Sequence, residues 1–194
     1  MQQPNSSAEL NQTEQQELLQ LARLAIVSNL KNEPSPDYSG QSQNLLRLCG
    51  AFVSLHVSGE LRGCVGYIRA CYPLWHTVVE MAQHASSHDL RFPSLRSDEL
   101  PLLEIEISVL TPLQKIRAID QIIVGKHGLY VECGVRSGLL LPQVAVEQKW
   151  DRTRFLQNTC LKAGLEPDAW QKQGTELSIF SAQIFSDRST ISNQ

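Results

Sequence analysis

The sequence predicts an α+β protein in which helices and antiparallel strands follow one another in irregular order. Apolar residues recur at helical spacing between residues 18 and 30, and again between residues 74 and 85. Residues 51–58 and 104–109 instead alternate between apolar and polar side chains, as half-buried strands do. Because the chain shows no repeat and no regular series of β-α-β units, we do not expect a parallel sheet wound by helices.

Length and composition describe one soluble domain. The chain has 194 residues, of which 42% are hydrophobic and 19% are charged, so it can bury a sizeable core. Its 17 basic and 20 acidic residues give a net charge of -3, which argues against nucleic-acid binding. No segment has the apolar length of a secretory signal or a membrane span. The Cys count is 5, with irregular spacing that matches neither a disulfide scaffold nor a zinc site, so we expect reduced thiols and a cytoplasmic location.

The first helix is expected to start at Thr13, because Thr13 and Gln16 have the spacing of a capping box. The polar residues 1–12 before it are predicted to form a disordered tail, and residues 187–194 a flexible one. A single domain of residues 13–186 remains between the two tails.

A hairpin and a second helix are predicted next. Residues 31–44 contain two prolines and a glycine, which indicate a long surface loop. The alternating strand that follows is expected to turn back at residues 59–60 into a second strand. Pro73 suits the first turn of the second helix, and the helical pattern breaks at residues 91–93.

The second half of the chain contains three further elements. Residues 122–142 hold three short apolar runs separated by glycine-containing turns, which predict a small β-meander. Asp151 can cap a last helix that ends at Gly164. The apolar residues 177–185 are expected to close the chain as one strand.

The segment ELRGCVGYI, residues 60–68, combines an arginine, a thiol and two glycines in one run with strand character. In an extended strand Arg62 and Cys64 point to the same side, with their Cα atoms about 6.6 Å apart. A guanidinium at that distance would lower the pKa of the thiol and make Cys64 a candidate nucleophile. Gly63 and Gly66 would let a substrate approach the backbone closely. The alternative is structural, with glycines that allow a bulge or tight packing, an arginine paired with a carboxylate, and a small buried cysteine.

Two other segments carry candidate residues. In the segment GKHG, His127 can serve as a general base and Lys126 as a substrate contact. The structural alternative is a simple turn, and the spacing of a phosphate-binding loop is absent. Arg91 follows the second helix together with Asp89 and Phe92, in a segment that either latches the turn or lines the rim of a cleft.

Two groups of polar residues are interpreted as solvated. One group recurs at every fourth position of the second helix: His76, Glu80, His84 and His88. Since this stripe lies away from the apolar face, we predict no metal site there. Glu104 and Glu106 share one face of a strand, where we expect them to be solvated or to pair with Arg62.

The segment ELRGCVGYI also resembles the Leu-Arg-Gly-Cys-Ile-Gly signature of the AMMECR-one domain family, with Val65 at the isoleucine position. Further blocks lie around this segment in the order that the family shows: GAFVSL just upstream, then DLRFPSL, ELPLLEIEISVLTP, GKHGLYV, LLLPQVA and KAGL downstream. The resemblance extends over residues 18–185. It implies two unequal lobes, a larger one built from both chain ends around an antiparallel sheet and a smaller one of helices and a short sheet. It also implies that the signature strand, with Arg62 and Cys64, faces the cleft between them.

Two functions are compatible with these residues. In the first, the chain is an accessory enzyme component that acts on a protein or other large substrate, with Cys64 as nucleophile or ligand, Arg62 as anion clamp and His127 as base. Gly63, Gly66, Arg91 and Lys126 are then the candidate substrate contacts. In the second, the same cleft binds a partner without covalent chemistry. The family's bacterial branch is known as protein A of the AmmeMemoRadiSam system, and this resemblance implies a Memo-like protein and a radical-SAM enzyme as partners. The cofactor, the substrate and the reaction stay open.

Overall fold

The structure is a computed structural model that describes residues 9–187. It confirms the α+β class, because helices accompany two four-stranded antiparallel sheets. The chain divides into two compact units. The first unit runs through Leu110 and resumes at Gln183, and the second unit is Thr111–Ala182. Within residues 9–187, no helix combines the length and the apolar character needed to cross a bilayer.

Residues 9–187 form five α-helices and eight strands, together with three short 3-10 helices. The helices are α1 (Gln12–Lys31), α2 (Gln43–Leu46), α3 (Leu74–Ser87), α4 (Pro142–Glu147) and α5 (Arg152–Lys162). The strands are β1 (Ala51–Val57), β2 (Glu60–Tyr67), β3 (Leu103–Leu110), β4 (Gln114–Lys115), β5 (Gly128–Cys133), β6 (Arg136–Leu140), β7 (Thr175–Phe180) and β8 (Ala182–Ser186).

Helix α1 begins earlier than predicted, at an asparagine cap. The side chain of Asn11 accepts from the backbone N–H of Glu14, and the Glu14 carboxylate accepts from the backbone N–H of Asn11. This capping box replaces the predicted pair of Thr13 and Gln16. Leu10 is 2% exposed, and its backbone N–H and C=O both bond to the side-chain amide of Gln183. Residues 9–12 of the predicted tail are thus part of the described chain, where they lead into α1. The rest of that predicted tail, residues 1–8, and residues 188–194 of the predicted C-terminal tail lie outside the described residues.

The first unit is a sheet with the strand order β2-β1-β3-β8, covered on one face by α1 and α3. The alternating residues of β1 and β3 that the sequence placed on one face are buried there against the apolar stripes of the two helices. These core residues include Leu18, Ala22, Ile26, Val53, Leu55, Val78, Met81, Ile105 and Ile107. Strand β2 lies at one edge of the sheet, so it pairs with a strand on one side only. Because of this edge position, the outward backbone N–H and C=O of Cys64 need hydrogen-bond partners other than a neighbouring strand.

The second unit contains a sheet with the order β4-β7-β5-β6, on which α5 packs. The predicted meander is wrong in its first strand, because Ile122 is a buried loop residue that follows a short 3-10 helix. The strand that joins the β5–β6 hairpin is β7, from the C-terminal part of the chain. The predicted last strand also divides at Ser181 into β7 and β8, which belong to different sheets. Apolar runs show that a segment is buried, but they do not identify its pairing partner.

Candidate functional site

A polar row crosses the first sheet at Cys64. The register places Cys64 opposite Ser54 on β1, and Ser54 opposite Glu106 on β3. Directly opposed residues of antiparallel strands share a face, so these three side chains lie on the face away from α1 and α3. The Ser54 hydroxyl donates to Cys64 Sγ at 3.2 Å. We call Cys64, Ser54 and Glu106 the polar row.

A β-bulge removes Arg62 from this face. Gly63 lies opposite Leu55 while Leu61 lies opposite His56, so the register leaves Arg62 as the extra residue of β2. The strict alternation that the sequence predicted for Arg62 and Cys64 is therefore interrupted between them. A bulge redirects the side chain of the inserted residue, and here it turns Arg62 toward the segment that follows α3.

Arg62 is held by an ion pair and by backbone carbonyls. Its Nε and Nη2 donate to the two carboxylate oxygens of Glu99 at 2.8 and 3.1 Å, and both side chains are mostly buried. Its Nη groups also donate to the carbonyl oxygens of Pro93 and Ser94. The hydrogen bond from Arg62 lowers the pKa of Glu99. Arg62 thus forms its ion pair with Glu99, a partner that no pattern in the sequence indicated.

The arginine that lies beside Cys64 is Arg91. The backbone N–H of Cys64 donates to Asp89 Oδ2 at 2.9 Å, and the backbone C=O of Cys64 accepts from Arg91 Nη2 at 2.9 Å. Asp89 and Arg91 are themselves joined by hydrogen bonds of 2.9 and 2.6 Å. The pair therefore satisfies both backbone groups of Cys64 on the open edge of β2, in place of a neighbouring strand. We call Asp89 and Arg91 the latch. Their hydrogen bonds agree with the structural alternative for this segment, in which it latches the turn after α3.

The Cys64 thiol is not activated in the predicted way. Burial raises its pKa, and the charges of Asp89 and Glu106 act in the same direction. The hydrogen bond from Ser54 and the charge of Arg91 lower the pKa but do not offset the burial. The prediction that Arg62 lowers this pKa is wrong. The group at Cys64 is a thiol, not a thiolate, at neutral pH.

The latch places a strongly acidic carboxyl at the edge of the sheet. The hydrogen bonds from Arg91 lower the pKa of Asp89 to about 2, burial opposes this shift, and the Cys64 N–H contributes further to it. Asp89 is ionised under all ordinary conditions, and its side chain is only 6% exposed. Arg91 is 49% exposed and its guanidinium lies 5.4 Å above the ring of Phe92.

Both glycines of the signature lie against protein atoms. A Cβ added to Gly63 would overlap with the backbone carbonyl of Ala85, at the end of α3. A Cβ added to Gly66 would overlap with the ring of Phe52 on β1. These glycines therefore let the end of α3 and the ring of Phe52 pack closely against β2. This is the structural alternative to a substrate contact.

His127 and Lys126 belong to the second unit, in the turn that precedes β5. His127 Nδ1 accepts from the backbone N–H of Ile123 at 3.2 Å, and this bond helps to close the turn. Burial and the charge of Lys126 lower the pKa of His127, so its imidazole is neutral at pH 7. The juxtaposition of His127 and Cys64 stays a prediction.

The histidines of α3 form local pairs. His76 Nδ1 lies 3.9 Å from Glu80 Oε2, and the rings of His84 and His88 are 5.2 Å apart. In the part of the chain that the structure describes, no three His, Cys, Asp or Glu side chains converge as metal ligands would.

Sequence reasoning did not identify three contacts of the signature segment. Ser54 could have been found, because strand alternation places it on one face of a hairpin whose turn was predicted. Asp89 was predicted either to latch the turn or to line the rim of a cleft, but not to contact the backbone of Cys64. Glu99 carried no signal, since its contact with Arg62 joins residues 37 positions apart.

Comparison with known proteins identifies a family and a fold. The family model described as AMMECR1 matches residues 19–185. A protein of Methanopyrus kandleri is 42% identical over 88% of this chain and 86% of its own length. A protein of Methanosarcina barkeri is 42% identical over 92% of this chain and 93% of its own. The crystal structure of an uncharacterized protein from Pyrococcus horikoshii superimposes with a TM-score of 0.85 at 39% identity, over 89% of this chain and 90% of that one.

Proposed function

The chain belongs to the AMMECR1 family, and from that premise we propose that it is a binding module that docks a Memo-like protein through the edge of β2. The resemblance noted in the sequence implies such a partner, together with a radical-SAM enzyme. The proposed contact surface consists of Leu61, Leu90 and Arg91, and we call it the docking edge. The docking edge lies beside the polar row, and binding there requires no reaction at Cys64.

The observation that carries this proposal is the exposure of Leu90 between two fixed neighbours. The Leu90 side chain is 100% exposed, whereas Asp89 and Arg91 on either side are tied to each other and to the backbone of Cys64. Because the residues on either side of Leu90 are restrained, little further ordering of this segment is needed when a partner covers it. Leu61 on the same edge strand is 41% exposed, and an apolar centre with a neighbouring arginine is typical of protein interfaces.

The state of Cys64 favours docking over catalysis. Its thiol is protonated because burial raises the pKa, and Arg62 is occupied by Glu99 and two carbonyl groups. The signature segment therefore has a structural role. Its bulge, its contacts with the latch and its two packed glycines determine the shape of the β2 edge. All five cysteines, each within the described residues, are free thiols, which supports the cytoplasmic location that the sequence predicts.

The proposal is tested by binding of the purified chain to the purified Memo-like protein of the same genome, measured by biolayer interferometry. We expect Leu90→Asp to weaken binding at least ~10-fold, since a central apolar contact contributes about 2 kcal/mol. The matched control is Val135→Asp, because Val135 is 103% exposed on the β5–β6 turn of the second unit. Cys64→Ser should bind like the parent chain. Absence of binding, or equal losses for Leu90→Asp and Val135→Asp, would contradict the proposal. Capture of the radical-SAM enzyme alone would assign the edge to that partner instead.

A catalytic role for Cys64 is the second candidate, and the contact with Ser54 is what favours it. A hydroxyl that donates to Sγ at 3.2 Å stabilises a thiolate once it forms. In this function Cys64 is the nucleophile and the exposed Arg91 contacts a protein or other large substrate. The roles of His127 as a base and of Lys126 as a substrate contact stay predictions, whereas the packing of Gly63 and Gly66 against protein atoms does not favour substrate contacts there. The test is the rate of alkylation by iodoacetamide at pH 7, followed by mass spectrometry for each cysteine. A Cys64 rate above that of the exposed Cys71 would support catalysis, and a lower rate would exclude an activated thiol.

A further inference from the structure

A groove in the second unit lies where the short edge strand β4 ends and the chain turns away from β7. It is lined by residues 115–119, Trp170 and residues 175–177, and its volume is about 580 Å³. Sites for small molecules typically measure ~300–1,000 Å³. The groove is thus large enough for a molecule of one or two rings.

The floor of the groove is apolar and belongs to the core of the second unit. Ile116, Leu177 and the indole of Trp170 line it, and the same three residues pack against the buried cluster around Phe155 and Ile179. Because these side chains pack against the buried cluster, the floor keeps its shape without a ligand. An apolar body placed there would lie against a largely pre-formed surface.

Among residues 9–187, the charges of the groove leave one cation without a partner. Lys115 Nζ lies 2.6 Å from Glu176 Oε2, so the one acidic group that the described residues contribute to the lining is neutralised by an exposed ion pair. The guanidinium of Arg117 has no ion pair or hydrogen-bond acceptor among residues 9–187. An arginine beside an apolar floor is suited to bidentate contact with a carboxylate, sulfonate or phosphate.

Two polar atoms of the lining also have no partner. Within the described residues, neither the indole Nε1 of Trp170 nor the hydroxyl of Thr175 makes a hydrogen bond, although both atoms are buried. The indole N–H can only donate, and the hydroxyl can donate as well. A buried donor without an acceptor destabilises a fold. Since both residues line the groove, an acceptor on a bound molecule is a candidate partner for these donors.

From these three features we propose that the groove binds a small organic anion. Its acidic group contacts Arg117, its apolar body lies over Trp170 and Leu177, and an oxygen accepts from the Trp170 or Thr175 donor. The excess of donors and the paired state of Glu176 favour an anion over a cation. This site belongs to the second unit and does not depend on the docking edge.

The test uses naphthalene-2-sulfonate as the anionic probe and naphthalene-2-sulfonamide as its uncharged match. Binding to the full chain is followed by the three indole N–H signals in a ¹H–¹⁵N spectrum, with the Trp170 signal assigned through Trp170→Phe. We expect a saturable shift of the Trp170 signal, and little change for Trp75 and Trp150. Arg117→Gln should raise the Kd of the sulfonate about 10-fold, since a charge-assisted contact is lost. The Kd of the sulfonamide should not change.

Arg154→Gln is the matched control, because Arg154 is an exposed arginine of the same unit that does not line the groove. Thr175→Val, which keeps the side-chain shape, should weaken the sulfonate about threefold. The inference is overturned if the Trp170 signal does not shift saturably, if all three indole signals shift together, or if Arg117→Gln and Arg154→Gln have equal effects. It is also overturned if the sulfonamide binds as tightly as the sulfonate.

Discussion

Asp89 accepts a hydrogen bond from the backbone N–H of Cys64 at 2.9 Å, across 25 residues of sequence. Arg91 completes the contact by donating to the carbonyl of the same cysteine at 2.9 Å. The latch therefore does for Cys64 what a paired strand would do, and it fixes the exposed Leu90 between its two members. The stability of this edge and the proposed docking function depend on the same two side chains.

Replacement of Asp89 should destabilise the protein. Asp89→Asn removes the charge that pairs with Arg91 at a carboxylate that is only 6% exposed, so we expect a loss of about 2 kcal/mol in the free energy of unfolding. Asp98→Asn is the control, because Asp98 pairs with Arg96 at a side chain that is 68% exposed. The free energy of unfolding should change much less in this control than in Asp89→Asn, because an ion pair between exposed side chains contributes little to stability. Urea titrations measure both values, and equal losses would contradict the role of the latch.

The latch should also give the protein a defined sensitivity to acid. The pKa of Asp89 is lowered in the folded protein to about 2 from its ordinary value of 3.8. A lowered carboxyl pKa stabilises the folded state above the unfolded pKa, and this stabilisation disappears as the pH falls from about 4 toward 2. Between pH 5 and pH 2.5, the parent should therefore lose more unfolding free energy than Asp89→Asn. If the unfolding free energy falls by the same amount in both proteins over this pH range, Asp89 does not titrate in this way.

Arg62 and Glu99 should be strongly coupled. Their side chains are 15% and 16% exposed and make two hydrogen bonds, so a double-mutant cycle with Arg62→Gln and Glu99→Gln should give a coupling of about 2 kcal/mol. The exposed pair of Lys115 and Glu176 provides the comparison, with side chains that are 72% and 58% exposed. Its coupling should be at most ~0.5 kcal/mol. A coupling near zero for Arg62 and Glu99 would mean that Arg62 is available for another role.

The two arginines should affect the Cys64 thiol differently. Burial raises the pKa of this thiol, and the charge of Arg91 opposes that shift, whereas Arg62 is not among the main causes. We expect Arg62→Gln to change the alkylation rate of Cys64 by less than about twofold. Arg91→Lys, which keeps the charge, should react like the parent, and Arg91→Gln should react more slowly at every pH below the thiol pKa. A large effect of Arg62→Gln alone would instead support the prediction from the sequence that the Arg62 guanidinium lowers the pKa of the Cys64 thiol.

Gly63 should not tolerate a side chain. A Cβ at this position would overlap with the backbone carbonyl of Ala85, which cannot move without displacing α3, so Gly63→Ala should cost at least ~2 kcal/mol. Gly134→Ala is a fair comparison, because Gly134 has open space around it and only its φ of 59° opposes the substitution. That change should cost about 1 kcal/mol. Thermal unfolding of the two variants distinguishes packing at Gly63 from general loss of a glycine.

The amino-acid sequence by itself determined the α+β class, the family, and the elements whose burial follows a local period. The apolar stripes of α1 and α3 and the alternation of β1 and β3 could be predicted because each pattern depends on residues a few positions apart. The hairpin of β1 and β2 was predicted for the same reason, since its turn is local.

Only the tertiary structure decided which charged groups meet. Arg62 pairs with Glu99 and the backbone of Cys64 pairs with Asp89 and Arg91, through a bulge and a loop that no short-range pattern encodes. The division of the last apolar run into β7 and β8 was decided in the same way. Side-chain periodicity determines which face of an element is buried. The choice of a partner depends instead on which distant segments the packed core brings together.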